Sequence, residues 1–144
     1  VWGYVAKKYD LKNRLPEGFI FYGEVFGKKD GKAIQDLTYG MDDYDIRFFD
    51  IKDSKTNKYL DYDQFCLMLK ELCLPAVPVL YHNKWNNTLI SEYTDGKSLI
   101  CPTQIREGFV VKTIKEEYHP QIGRKILKSV STEYLTRKDA TEYK

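Results

Sequence analysis

The sequence predicts an α+β domain built around antiparallel sheets. Three observations carry this. Apolar runs of strand length recur along the 144 residues, while only a few segments show helical spacing. Twelve tyrosines and seven phenylalanines suit pleated, half-buried surfaces. No internal repeat or low-complexity linker divides the chain, and its length suits one domain with a real core. The net charge is only +2, so any affinity for a polyanion must come from local patches.

In chain order, residues 1–16 are polar and basic with scattered aromatics and end at Pro16. Residues 18–26 read as a buried strand rich in aromatic and β-branched residues. Asp30-Gly31 marks a hairpin turn, and residues 33–39 pair back across it. Tyr44–Ile51 is a second strand, with a turn at Asn57 before Tyr59-Leu60. Asp61 or Asp63 caps a helix over Gln64–Leu74, where Phe65, Met68, Leu69 and Leu72 fall at helical spacing and Pro75 stops it. Val77–Tyr81 reads as a short apolar strand. A short helix follows from Asn87 to Tyr93, with Asp95-Gly96 as its exit. Gly108–Ile114 and Lys125–Val130 are strands, and Ser131 or Thr132 caps a last helical turn through Leu135.

Cys66, Cys73 and Cys101 form no C-x-x-C pair, and their odd number argues against a disulfide framework, so free thiols in a reducing cytoplasm are expected. No apolar run approaches a membrane span and no secretory signal is visible, so no membrane partner is expected. His82 and His119 lack metal-ligand spacing. No G-x-S-x-G elbow, P-loop or dinucleotide fingerprint occurs. The chain opens on Val1-Trp2-Gly3-Tyr4-Val5, which reads like the interior of a longer protein.

The run Glu107-Gly108-Phe109-Val110-Val111-Lys112 carries the most chemical information, because it joins a carboxylate and an ammonium through a strand. Glu107 can hold Mg2+ through water, since magnesium keeps several waters and takes few protein carboxylates. Alternation puts Lys112 on the opposite strand face from Glu107, unless the strand is bulged. An exposed ion pair on a sheet is the competing reading. Glu24 lies between Gly23 and Gly27 in an apolar strand, where a carboxylate either faces solvent or meets a cation, a metal or a hydroxyl. Phe48 and Phe49 point to opposite faces, so one ring can fill the core while the other meets a planar ligand. Arg124, Lys125, Lys128, Arg137 and Lys138 form a basic cluster. Lys128, set among Ile126, Leu127 and Val130, needs an anion or an escape to solvent.

Taken in order, Y-G-E-V-F-G at 22–27, F-F-D-I at 48–51, E-G-F-V-V-K at 107–112 and R-K-I-L-K-S-V-S-T-E-Y-L at 124–135 resemble the third to fifth motifs of the covalent nucleotidyltransferase superfamily. The closest likeness is to ATP-dependent RNA ligases of the kind common in bacteriophages. Two connecting segments, 34–40 and 59–61, look similar as well, and the resemblance covers about residues 18–138. It implies an antiparallel-sheet nucleotidyltransferase domain, of the ATP-grasp-like ligase adenylylation type and incomplete at its N-terminus, with residues 1–144 its C-terminal part.

The resemblance also implies roles. Glu24 would contact the nucleotide ribose or a metal-bound water. Phe49 would stack on adenine, with Phe48 the fallback. Glu107, with Glu24, would serve the Mg2+. Lys128 would bind the α-phosphate of ATP or AMP, with Lys125 and Lys112 as further nucleotide-binding groups. The implied activity seals 5′-phosphate and 3′-hydroxyl RNA ends through an adenylylated intermediate. RNA ends are the implied partner, together with the missing N-terminal part of the domain.

Two departures stand out. The fifth motif of the family pairs two lysines one residue apart, but Ile126 and Val130 flank Lys128 here, leaving Lys125 or Arg124 as substitutes. The first motif, a lysine nucleophile followed closely by an acid and a glycine, is not present before Glu24. The chain is therefore expected to supply pocket and metal residues without the nucleophile. A non-catalytic module for nucleotides or RNA ends is the alternative. A DNA ligase or capping enzyme is disfavoured by the closeness of the quoted segments to RNA ligases.

Overall fold

A computed structural model describes residues 1–35 and 37–137. Asp36 in the connecting segment and Lys138 in the basic cluster lie outside the described residues. A four-stranded antiparallel sheet is the base of the fold, in the order β2-β1-β3-β4, with β1 Phe19–Lys29, β2 Lys32–Ala33, β3 Tyr44–Asp53 and β4 Lys58–Tyr59. Asp30 and Gly31 both take positive φ, 50° and 77°, the primed-turn geometry that matches strand twist, so β1 folds back tightly. The return strand is shorter than the sequence suggests: its ladder with β1 covers Lys32 and Ala33, and Ile34 N adds one bond to the Gly27 carbonyl at 3.2 Å.

One face of this sheet makes the core. Val25, Ile46, Phe48 and Ile51 pack with Val5 from helix α1 (Trp2–Lys8) and with Phe65 and Leu69 from helix α3 (Tyr62–Glu71). Asp61 is the N-cap of α3, and the Gln64 side chain returns to the Asp61 backbone N–H at 3.3 Å. Helix α1 and the single turn α2 (Leu11–Arg14) are absent from the sequence reading. Trp2–Lys8 has no capping side chain and includes a glycine. It is held by the buried Val5 and by Lys8, which donates to Asp43 at 3.0 Å and to the Tyr44 carbonyl at 2.8 Å.

Val77–Tyr81 is not a strand. Pro75 and Pro78 each lack a ladder donor, and pairing is confined to a parallel bridge at Ala76 beside Phe48. After α4 (Thr88–Tyr93), strand β5 (Gly108–Lys112) pairs with β8 (Ile126–Val130). Between them lies a small hairpin of β6 (Tyr118–His119) and β7 (Gly123–Arg124). Ser131 caps the final turn α5 (Thr132–Leu135), its hydroxyl accepting from Tyr134 N at 3.2 Å and donating to Asp95 at 2.6 Å.

The second pair of strands is tied to the first sheet and to the start of α3. Tyr62 N donates to the Ile114 carbonyl at 2.9 Å, and Glu116 N donates to Asp61 at 2.8 Å. Charged side chains complete the connection and form the floor of the site.

Candidate active site

The site is built on the face of β1 and β3 opposite the core. Glu24 sits across from Arg47, and Phe26 across from Asp45, so these four share that face. At the next step the register shifts: Gly23 pairs with Phe48 while Tyr22 pairs with Asp50, leaving Phe49 as an extra residue. This bulge changes what the F-F-D-I segment does. Phe48 and Ile51 point into the core, and Phe49 and Asp50, between them, do not.

The consequences for the two rings are opposite. Phe48 is 2% exposed and packs edge-on against Phe21, so it is not available to a ligand and the fallback role expected for it is corrected. Phe49 is 37% exposed and lies under the Lys112 ammonium, 5.9 Å from ring centroid to nitrogen.

Asp50 is buried, and its carboxylate is the hub that joins the two sheets. Its Oδ1 accepts from Lys112 Nζ and from Arg124 Nη2, each at 2.8 Å, and its Oδ2 accepts from Arg124 Nη1 at 2.8 Å. Arg124 turns its other edge to Glu116, at 2.8 and 2.5 Å, and lies over the Tyr59 ring at 3.7 Å. Burial alone would raise the Asp50 pKa. The hydrogen bonds from Arg124 and Lys112, and then their charges, outweigh it and hold the carboxyl below its ordinary 3.8.

On the β5–β8 hairpin, Val110 pairs with Lys128 and Lys112 with Ile126, so Lys112 and Lys128 share one face. Lys128 Nζ donates to Glu107 Oε1 at 2.7 Å. Glu107 precedes the strand, and Gly108 has a φ of 144°, so strand alternation does not extend to Glu107. The parity argument that set Glu107 and Lys112 apart therefore fails at its first residue. Lys125 is different: its ammonium pairs with Glu117 at 2.9 Å and its backbone N–H bonds the Glu117 carbonyl at 2.8 Å. That exposed pair belongs to the β6–β7 end. Of the two substitutes for the second motif lysine, Arg124 reaches the cleft through Asp50 and Lys125 does not.

Glu24, Glu107 and Lys128 act on one another electrostatically. Partial burial against neighbouring protein atoms, and then the Glu107 carboxylate, push the Glu24 pKa above its ordinary 4.5, while Lys128 opposes them. Glu24 still meets water, which screens the effect. Tyr39, which the residue-level reading did not select, borders the same space. Its pKa is pushed up to about 12 by burial and then by Glu107 and Glu24. Its ring packs edge-on against Phe26 at 5.4 Å, and its N–H bonds Gln104 Oε1 at 2.8 Å.

A test of this coupling is the titration of the Glu24 carboxyl carbon by NMR. The midpoint is expected above 4.5, lower in Glu107→Gln and higher in Lys128→Met. A midpoint unmoved by both substitutions would separate the three groups. The sign for stability follows. A carboxyl whose folded pKa is raised costs stability as pH climbs from the unfolded value through the folded one. Glu24→Gln should therefore gain stability relative to wild type across that window and no longer below it.

Two neighbouring carboxylates that repel each other are hard oxygen donors that suit one hydrated divalent cation such as magnesium or manganese. No group of three acidic, histidine or cysteine side chains gathers among the described residues, so most of the coordination shell of such an ion would be water. No helix among the described residues is long and apolar enough to cross a membrane.

The fold is similar to RNA ligase structures from Naegleria gruberi. A lysine-to-methionine variant of that ligase with AMP and manganese superposes with a TM-score of 0.78 at 24% identity, over 96% of this chain and 41% of that one. A lysine-to-alanine variant with ATP and manganese gives 0.74 at 24% identity, over 92% and 39%. The same ligase with PPi gives 0.72 at 23% identity, over 92% and 39%. The chain thus has the expected antiparallel-sheet α+β fold of these enzymes and spans about two-fifths of their length. No curated protein sequence matches it. The sequence profile of the RNA ligase family matches residues 2–130, and the chain is therefore a member of the RNA ligase family.

Proposed function

We propose that residues 1–144 are the C-terminal part of an RNA ligase nucleotidyltransferase domain and form its adenine-nucleotide pocket. The whole enzyme would seal 5′-phosphate and 3′-hydroxyl RNA ends through an adenylylated intermediate. The observation that carries this reading is the meeting of Glu24, the Glu107–Lys128 pair and the exposed Phe49 ring on the side of the sheet away from the core. The Naegleria ligase structures with AMP or ATP and manganese support a nucleotide and a divalent cation as the ligands.

Each group has a task that suits its chemistry. Phe49 stacks on the adenine. Lys128 exchanges its Glu107 partner for the α-phosphate and offsets the negative charge that grows there during phosphoryl transfer. Glu24 accepts from a ribose hydroxyl or a bound water. Magnesium, held through water by Glu107 and Glu24, would supply further charge neutralisation. Lys112 steadies the Phe49 backbone, donating to its carbonyl at 2.5 Å. The cytoplasm, a host cytoplasm if the gene is phage-borne, suits such a ligase and its three free cysteines.

Calorimetry with ATP and AMP in the presence of magnesium tests the pocket. Both should bind, and Phe49→Ala should weaken them by about 5- to 150-fold, the worth of one aromatic–base stack. Absent binding, or binding indifferent to Phe49→Ala, sinks the proposal. With α-labelled ATP the chain alone should give no denaturation-stable adduct, because no lysine stands in the first-motif pattern. A labelled band that survives Lys128→Ala would overturn that part.

A further inference from the structure

The connection between α3 and α4 leaves the sheet next to the proposed pocket. Phe48 N donates to the Pro75 carbonyl and Val77 N to the Phe48 carbonyl, both at 2.9 Å, so the segment departs from the residue preceding Phe49. Beyond it, residues 81–88 are all exposed. Two large rings stand there, Tyr81 at 40% and Trp85 at 43% exposure.

These rings are held rather than loose. Tyr81 Oη donates to the Lys84 carbonyl at 2.8 Å, and Trp85 Nε1 donates to Asn87 Oδ1 at 3.1 Å. The backbone N–H groups of Lys84 and Thr88 bond Asn83 and Asn86 Oδ1 at 2.8 and 2.7 Å. The polar atoms of both rings are thus used internally, while both rings stay partly exposed. The asparagine oxygens fix the loop while their amide N–H groups are left to donate. The loop is seated on its neighbours, with Tyr81 5.9 Å from Tyr93 and His82 5.1 Å from Tyr62.

The charge pattern narrows the occupant. No aspartate or glutamate occurs between Glu71 and Glu92, a stretch that includes His82 and Lys84. Lys84 has no ion pair among the described residues. Fixed rings interleaved with amide donors and a cation, free of carboxylates, fit the stacked bases and phosphates of a single strand. Val77 and Val79 add exposed apolar surface beside the rings, so it is the missing carboxylates, with Lys84 and the amide donors, that favour a nucleic acid over a protein.

We propose that residues 77–87 form a stacking platform for unpaired bases of single-stranded RNA, leading the strand toward the cleft. The assignment rests on the ligase reading and deepens it by naming where the RNA lies.

The chain has two tryptophans, so a Trp2→Phe background makes Trp85 the sole reporter. Titration with a 5′-phosphorylated single-stranded RNA of about twelve nucleotides, within the range such surfaces cover, should quench it. In the wild-type background, Trp85→Ala should weaken RNA binding about tenfold, within the range of a lost base stack. Lys84→Ala should weaken it less and flatten the salt dependence. AMP affinity should stay the same in both variants. RNA that neither quenches Trp85 nor responds to Trp85→Ala overturns the platform, even where AMP still binds. Concentration-dependent self-association removed by Trp85→Ala, with RNA binding unchanged, assigns the surface to a second copy and also overturns it. RNA quenching with no AMP binding by the wild type keeps the platform and removes the nucleotide reading.

Discussion

Asp50→Ala is expected to lower stability by about 3 kcal/mol, roughly 10 °C in melting temperature, the cost of leaving two partly buried cations without their buried counter-charge. Three hydrogen bonds of 2.8 Å end on this carboxylate, two from Arg124 and one from Lys112. Alanine would leave both cations facing one another, with Glu116 alone to balance Arg124. Charge is not the whole loss. Asp50 is the point where β3 meets β5 and β7, and Lys112 also bonds the Phe49 carbonyl. Nucleotide binding should therefore fall together with stability, although Asp50 itself need not touch the nucleotide. The pH dependence gives a second signature. The Asp50 pKa is depressed, so its stabilisation is present above the unfolded value of 3.8 and is lost as pH falls through the lower folded value. Urea denaturation at pH 7 and at pH values below 3.8 should show a gap between wild type and variant that closes in acid. Asp50→Ala melting within a degree or two of wild type at pH 7 would remove the hub from the fold. Arg124→Lys, which keeps the charge but loses the two-pronged contact, should fall between the two.

The same carboxylate marks the boundary of what the sequence discloses. Regular alternation along Phe48-Phe49-Asp50-Ile51 puts Phe48 and Asp50 on one face and Phe49 and Ile51 on the other. The structure has Phe48 and Ile51 in the core and the middle two turned away from it. Burying an aspartate among aromatics is too costly unless the charge is paired. That cost signals that Asp50 needs a cation, but not that the cation is Arg124, 74 positions away. The Glu107–Lys128 pair is hidden for a similar reason, since its partners meet only when β5 and β8 pair. Features that depend on neighbours in sequence are legible in it. The Asp30-Gly31 turn and the Ser131 cap are such features, whereas α3 spans Tyr62–Glu71 and ends at a Leu72 cap and a left-handed Cys73, short of the expected stop at Pro75. Short helices such as α1 escape because their stability comes from tertiary contacts rather than from propensity.

Gly108→Ala is the second large effect, on the order of 4 kcal/mol, combining backbone strain with steric overlap. Gly108 has a φ of 144°, which side-chain-bearing residues rarely adopt, and an added Cβ would stand 2.0 Å from the Ser129 carbonyl oxygen. That oxygen belongs to the facing strand, so the overlap can be relieved only by parting β5 from β8. The pair has just two strands, and two-stranded sheets have little stability to spare. Parting them moves Glu107 away from Lys128, since Gly108 pairs with Val130 at the mouth of the hairpin. The expected result is a large drop in melting temperature together with a Glu24 titration shifted toward its ordinary value, as Glu107 withdraws. Gly31→Ala separates strain from overlap. Gly31 also has positive φ, 77°, but nothing lies within 4 Å of its added Cβ, so this variant should lose only about 1 kcal/mol. Equal losses at the two glycines would show that backbone strain alone accounts for both, and that the close approach of Ser129 does not hold the β5–β8 pair in register.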